Sequence, residues 1–236
     1  MRIQARPIEW TAGRTVSALI GYPERFRAGR TPAVILAHGA GNDMSNPLLS
    51  AVHEGLAARG YVSVKFNFPY TERGGRAPDP APVLEACYRA VLDTVRADSQ
   101  LAPPGIVIGG KSMGGRMASH LAAQGIDVAG LLFLGYPLHP AGRPEKLRTA
   151  HLARIVAPML FFAGTRDTLC TLDRLRETLR GLPRATLHVI EGGDHSFKLP
   201  ARLRRSAQSV IDELIDVATA WLYTVLPIDR EDCDGR

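Results

Sequence analysis

Residues 105–116 read GIVIGGKSMGGR, and they constrain the fold of this chain more than any other stretch. Two patterns overlap in them. Gly105 to Ser112 spells G-x-x-x-x-G-K-S, the phosphate-binding P-loop, while Gly110 to Gly114 spells G-x-S-x-G, a turn that presents a nucleophilic serine. The two demand different backbones. A P-loop needs a strand, then a glycine-containing loop whose N–H groups wrap phosphate, then a helix. Here the variable positions are Ile106, Val107, Ile108 and Gly109, an apolar run that must itself be the strand. Upstream, Leu101-Ala102-Pro103-Pro104 cannot supply a strand, because its prolines remove ladder donors. The serine turn fits the same residues. A sharp strand-to-helix turn holds Ser112 in an unfavourable backbone conformation and lifts its hydroxyl clear of the sheet. Side chains at Gly110 and Gly114 would collide across that turn, and Gly115 keeps the helix entry open. Met117, Ala118, Leu121 and Ala122 then follow at helical spacing up to Gly125.

The rest of the chain alternates in the same way. A weakly alternating segment from Thr15 to Ile20 predicts an antiparallel strand paired with residues 3–10. Pro32 to Ala37, PAVILA, is wholly apolar, as a parallel strand buried on both faces requires. Asn46-Pro47 predicts a capped helix start and Gly60 its stop. Strands are predicted over 61–68, 130–138, 159–163 and 186–191, and helices over 79–98, 172–182 and 206–226. The expected architecture is α/β: a doubly wound, mostly parallel sheet of about eight strands. Residues 1–226 read as one domain and 227–236 as a flexible polar tail. Only His139 to Pro158 separates two of the later strands, too short a span for an independent cap.

At 236 residues the chain suits a single core. The net charge of +6 raises nucleic acid as a partner, but the arginines are scattered and their densest cluster, Arg202, Arg204 and Arg205, lacks interleaved aromatics, so a solvated surface is the expectation. Cys87, Cys170 and Cys233 are odd in number and far apart, which argues against a disulfide framework. The start MRIQARPIEW has no apolar signal region, and no run approaches the length of a membrane helix. A cytoplasmic protein with no membrane partner is expected.

A serine hydroxyl needs a base, an acid to orient that base, and donors for the developing oxyanion. In parallel sheets such groups sit just beyond the strands' carboxyl ends. Downstream of Ser112, one predicted strand ends in Gly164-Thr165-Arg166-Asp167 and the next in Glu191-Gly192-Gly193-Asp194-His195. Asp167 and His195 are therefore the predicted acid and base. Rival readings are Asp167 as a helix cap, Asp194 as the acid, and His139 as the base. His53, His120, His151 and His188 fall on predicted helix or strand positions and read as structural or exposed. His38-Gly39-Ala40-Gly41 follows the PAVILA strand, so N–H groups of Ala40 or Gly41, with that of Met113, are the predicted oxyanion donors. His38 is expected to shape this loop by hydrogen bonding. No His/Asp/Glu spacing points to a metal, and no cofactor is implied. Arg73, Arg116, Arg143 and Lys111 are candidates to ring the mouth and favour acidic acyl groups, but the expectation is that they are ordinary surface cations of an arginine-rich chain.

These motifs resemble the α/β-hydrolase superfamily, above all its small dienelactone-hydrolase-like members. HGAGND, GGKSMGGR, GYPLHP with PEKLRTAHL, and GTRD are similar to a group that includes a testis-expressed hydrolase-like protein and a chromatin acetyltransferase complex subunit. The resemblance spans roughly residues 14–226. It implies an eight-stranded sheet with Ser112, Asp167 and His195 as a catalytic triad. The implied activity is a serine esterase or thioesterase acting on a small acyl substrate. Many dienelactone hydrolases carry cysteine where this chain has Ser112, which argues against a lactone substrate. The group also implies an alternative: the fold serving as a scaffold or binding module without turnover.

Overall fold

The computed structural model describes residues 1–228, and all but Pro227 and Ile228 of the expected tail lie outside them. Eight strands form one sheet in the order β1-β2-β4-β3-β5-β6-β7-β8. They are β1 (Arg2–Thr11), β2 (Arg14–Tyr22), β3 (Ala33–Ala37), β4 (Val62–Phe66), β5 (Ile106–Lys111), β6 (Gly130–Leu134), β7 (Met159–Gly164) and β8 (Ala185–Ile190). β1 pairs antiparallel with β2 and β2 with β4; every other pairing is parallel. The helices are α1 (Pro47–Ala58), α2 (Pro69–Glu72), α3 (Ala81–Ala97), α4 (Met113–Ala123), α5 (Leu172–Arg180) and α6 (Ala207–Val225). None of the described helices is long and apolar enough to cross a membrane.

The apolar central strands still obey the period of two. Ile35, Ala37, Ile108 and Phe133 face α3 and α4, packing against Tyr88, Val91, Met117 and Leu121. Val34, Leu36, Val107 and Leu132 face α1 and α6, packing against Val52, Leu56, Leu214 and Trp221. Burial on both faces is why these strands show no hydrophobic alternation in sequence.

Local signals hold where they are steric. The Asn46 side chain accepts from the Leu49 N–H at 3.2 Å with Pro47 at the first helical position, and Gly60 follows α1 at φ +99°. Ser206 caps α6 in the same manner, accepting from the Ser209 N–H at 3.0 Å. The strand expected over 130–138 is shorter. Gly135, at φ +70°, turns the chain out of the ladder, and residues 135–138 continue as a buried loop. α2 and two single 3₁₀ turns, Leu152–Arg154 and Ala201–Leu203, had no sequence signal. His151 lies just before the first of these turns, outside any helix or strand.

Between β3 and β5 the chain reverses its direction of travel across the sheet, since β4 lies on one side and β6 on the other. Loops leaving the carboxyl ends of β3 and β5 diverge there and leave a crevice.

Candidate active site

Ser112 sits in that crevice, one residue beyond β5. It has φ 50° and ψ −114°, a conformation that costs an L-residue of order 1–3 kcal/mol. The surroundings hold it there. Its N–H donates to the Leu134 carbonyl at 3.1 Å, extending the sheet ladder, and its carbonyl accepts from the Arg116 N–H at 3.1 Å. The glycines make the turn possible, though by a different contact from the one expected. A Cβ at Gly110 would lie 2.1 Å from the Ala37 carbonyl oxygen, and one at Gly114 would lie 2.2 Å from the same atom. The two glycines do not avoid each other; both press against β3. The P-loop alternative is excluded, because Ile106, Val107 and Ile108 are ladder residues.

Beneath the turn, the buried hydroxyl of Tyr88 accepts from the Gly109 N–H at 2.9 Å. The carbonyls of Ile35 and Gly109 lie 2.9 and 2.8 Å away as acceptors for its proton. Burial raises its pKa, so it stays a neutral phenol. Sequence reading missed this residue, because its apolar spacing on α3 looks like plain core.

The loops after β7 and β8 are stitched together. Thr165 N–H donates to the Ile190 carbonyl at 3.2 Å, Arg166 N–H to that of Gly193 at 2.8 Å, and Gly192 N–H to Thr165 Oγ1 at 2.8 Å. Glycine is required at 164, where a Cβ would meet the Gly193 oxygen at 2.2 Å. The consequence is that Asp167 and His195 face each other. Nδ1–H of His195 donates to Asp167 Oδ2 at 2.8 Å, and Ser112 Oγ–H donates to His195 Nε2 at 2.8 Å. The tautomer follows from that network, since a carboxylate can only accept. The Asp167 side chain is fully buried, while His195 keeps 21% exposure toward the cleft.

The rival readings resolve by geometry. Asp167 does cap the following turn, through Oδ1 accepting from Leu169 N–H at 2.8 Å, but its second oxygen serves His195. Asp194 instead organises its own loop, accepting from the N–H groups of Ser196 and Lys198 at 2.7 and 3.0 Å. Buried Phe197, at φ +60°, anchors that loop in the core. His139 accepts from Thr171 N–H at 3.0 Å through Nε2, and Nδ1–H donates to Pro140 O at 2.9 Å, so it is structural. His38 donates from Nδ1 to Gly39 O at 2.9 Å and accepts from Phe68 N–H at 3.0 Å through Nε2. Burial lowers its pKa and keeps it neutral, consistent with a role in shaping the loop.

A cleft of about 450 Å³ opens beside the serine, lined among others by Gly39, Ala40, Lys111, Ser112, Leu169 and His195. Ala40 shares the cleft with Ser112, whereas Gly41 belongs to a neighbouring hollow with Asp43 and Arg76. Met113 is the first residue of α4, so its N–H has no intrahelical partner. Among the described residues no ring of arginines lines the cleft, in keeping with the surface reading of these arginines. Arg73 pairs with Asp79 at 2.6 Å, and neither Arg116 nor Arg143 lines it; its cations are Lys111 and Lys198. Lys198 had no sequence signal. Among the described residues no cluster of three or more His, Cys, Asp or Glu could hold a metal ion.

A lidless, doubly wound sheet with a serine on a strained turn at its switch point defines the α/β-hydrolase class. Residues 30–223 match the family described as "Alpha/beta hydrolase domain", and the chain belongs to it. Solved structures share the fold at low identity. A dienelactone hydrolase from Anabaena variabilis is 20% identical with a TM-score of 0.74, covering 95% of this chain and 98% of that one. A Xanthomonas campestris serine hydrolase described as lacking a lid is 20% identical with a TM-score of 0.69, covering 93% and 94%. Esterase 2 of Thermogutta terrifontis is 19% identical with a TM-score of 0.74, covering 96% of each chain.

Proposed function

We propose that this chain is a serine hydrolase that cleaves a small ester or thioester through an acyl-enzyme. The observation that carries the reading is the unbroken relay from Ser112 Oγ to His195 Nε2 and from His195 Nδ1 to Asp167, with both hydrogen bonds at 2.8 Å. His195 takes the hydroxyl proton as Oγ bonds to the substrate carbonyl carbon. The Asp167 carboxylate holds the imidazole in its tautomer and stabilises the cation. The carbonyl electrons move onto oxygen, where N–H groups of Ala40 and Met113 stabilise them; each such donor is worth roughly 10²–10³ in rate. The bond to the leaving oxygen or sulfur breaks as His195 returns the proton to it. Water, deprotonated by the same imidazole, then releases the acid.

Size and openness of the substrate follow from the cleft. Residues 139–158 supply only a loop and one 3₁₀ turn, so no cap among the described residues covers the serine, and a short acyl group suits about 450 Å³ better than a long lipid chain. The Thermogutta esterase was solved phosphoramylated by tabun, which makes organophosphorus reagents a natural probe here. The test is a fluorophosphonate probe on the full chain. Labelling of the wild type and none of Ser112→Ala is expected. An unlabelled wild type would overturn the reading in favour of the non-catalytic scaffold suggested by the resemblance to the acetyltransferase-subunit group.

A further inference from the structure

Lys111 immediately precedes the serine, and its side chain is largely buried in the wall of the cleft. The residue is 6% exposed, and its Nζ donates to the backbone carbonyl of His195 at 2.7 Å. The two residues are 84 positions apart in sequence. Nζ, the His195 carbonyl oxygen and His195 Nδ1 all lie within 3.5 Å of the point that a Cβ at Gly135 would occupy. The absence of a side chain at 135 thus leaves room for the lysine to span from β5 to the loop after β8.

We propose that Lys111 is a positioning residue whose ammonium braces the His195 loop against the strand that carries Ser112. The proposal rests on the hydrolase reading above. Burying an ammonium costs several kcal/mol unless it is well paired, and this one's hydrogen-bond partner is a neutral carbonyl. Burial accordingly pushes its pKa down to about 8, against the opposing pull of Asp167 and Asp194. A methionine of similar length would fill the space more cheaply, so packing alone does not account for a lysine here. Its effect on the histidine does. One N–H pins the backbone from which the imidazole projects.

The charges that face Lys111 come from two loops. Asp167 follows β7, and Asp194, His195 and Lys198 follow β8; the loop after β3 contributes uncharged Gly39 and Ala40.

The experiment compares wild type, Lys111→Met and Lys111→Arg by thermal melting, fluorophosphonate labelling rate near neutrality, and hydrogen exchange of the 192–198 segment. Lys111→Met is expected to melt no lower than wild type, because a buried charge is gone. It should label at least about tenfold more slowly near neutrality, since small misplacements of a catalytic group cost up to 10². Exchange of 192–198 should rise. Lys111→Arg, which keeps a charged donor, should restore the labelling rate and the loop protection toward wild type. Unchanged loop exchange in Lys111→Met, or an unchanged labelling rate, would overturn the proposal. If the wild type itself does not label, the hydrolase reading falls, and the exchange comparison alone still decides whether Lys111 braces the loop.

Discussion

Asp167 divides its carboxylate between two tasks, one oxygen accepting from the His195 ring and the other from the Leu169 N–H, each at 2.8 Å. Because the residue is shared, an amide in its place separates geometry from charge. Asp167→Asn keeps an oxygen for Leu169 but offers the imidazole a neutral partner that can hold the wrong tautomer. Labelling by a fluorophosphonate is expected to slow by roughly 10³–10⁴, with the melting temperature changed by only a few degrees. Wild-type labelling by this variant would remove Asp167 from the mechanism.

The contact between Gly114 and β3 makes a stability prediction. An added methyl at 114 lies 2.2 Å from the Ala37 carbonyl oxygen, a backbone atom that cannot step aside without bending the sheet. Gly114→Ala should therefore lose at least about 2 kcal/mol in urea unfolding. Gly181→Ala is the matched control, since φ is −88° and the nearest atom to its Cβ is 3.7 Å away; it should change stability by less than about 0.5 kcal/mol.

Tyr88 satisfies a donor inside the sheet directly below the serine turn. Tyr88→Phe leaves the Gly109 N–H, now 2.9 Å from the hydroxyl, without that partner in the core. A loss of about 1–3 kcal/mol is expected from equilibrium denaturation. A variant as stable as wild type would mean that the hydroxyl is dispensable to the sheet.

Acid sensitivity follows from His53. Burial, helped by the Lys65 charge, lowers its pKa from 6.5 to about 4. Nδ1 shares a hydrogen bond with Ser63 Oγ at 3.0 Å, and Nε2 is buried with no partner. The folded state thus binds the proton more weakly than the unfolded chain. Stability is unaffected above pH 6.5 and falls as pH drops from 6.5 toward 4, where the unfolded chain takes up a proton that the fold refuses. His53→Gln should shrink the stability lost between pH 7 and 4.5 by on the order of 2 kcal/mol, whatever its own stability at pH 7. An unchanged loss would mean that His53 titrates normally in the fold.

Residues 105–116 announced the turn at Ser112 through an apolar run, a serine and glycines at fixed spacing, but the contact that demands Gly110 and Gly114 is with Ala37 on the neighbouring strand. Apart from α2 and the two 3₁₀ turns, the order of strands and helices was also legible, since apolar runs, the Asn46-Pro47 cap and Gly60 are local signals read within a few residues. Asp167 and His195 could be chosen from their places after strands. Only the tertiary structure decided what touches what. The 2.8 Å relay joins residues from three strand ends, and the stitching of two loops at Gly164 and Gly193 that produces it has no sequence period. Lys111 reads as a charged residue bound for solvent, and it is buried because a loop 84 residues away offers its carbonyl. Local sterics are written along the chain; desolvation and long-range hydrogen bonding depend on which segments the sheet brings side by side.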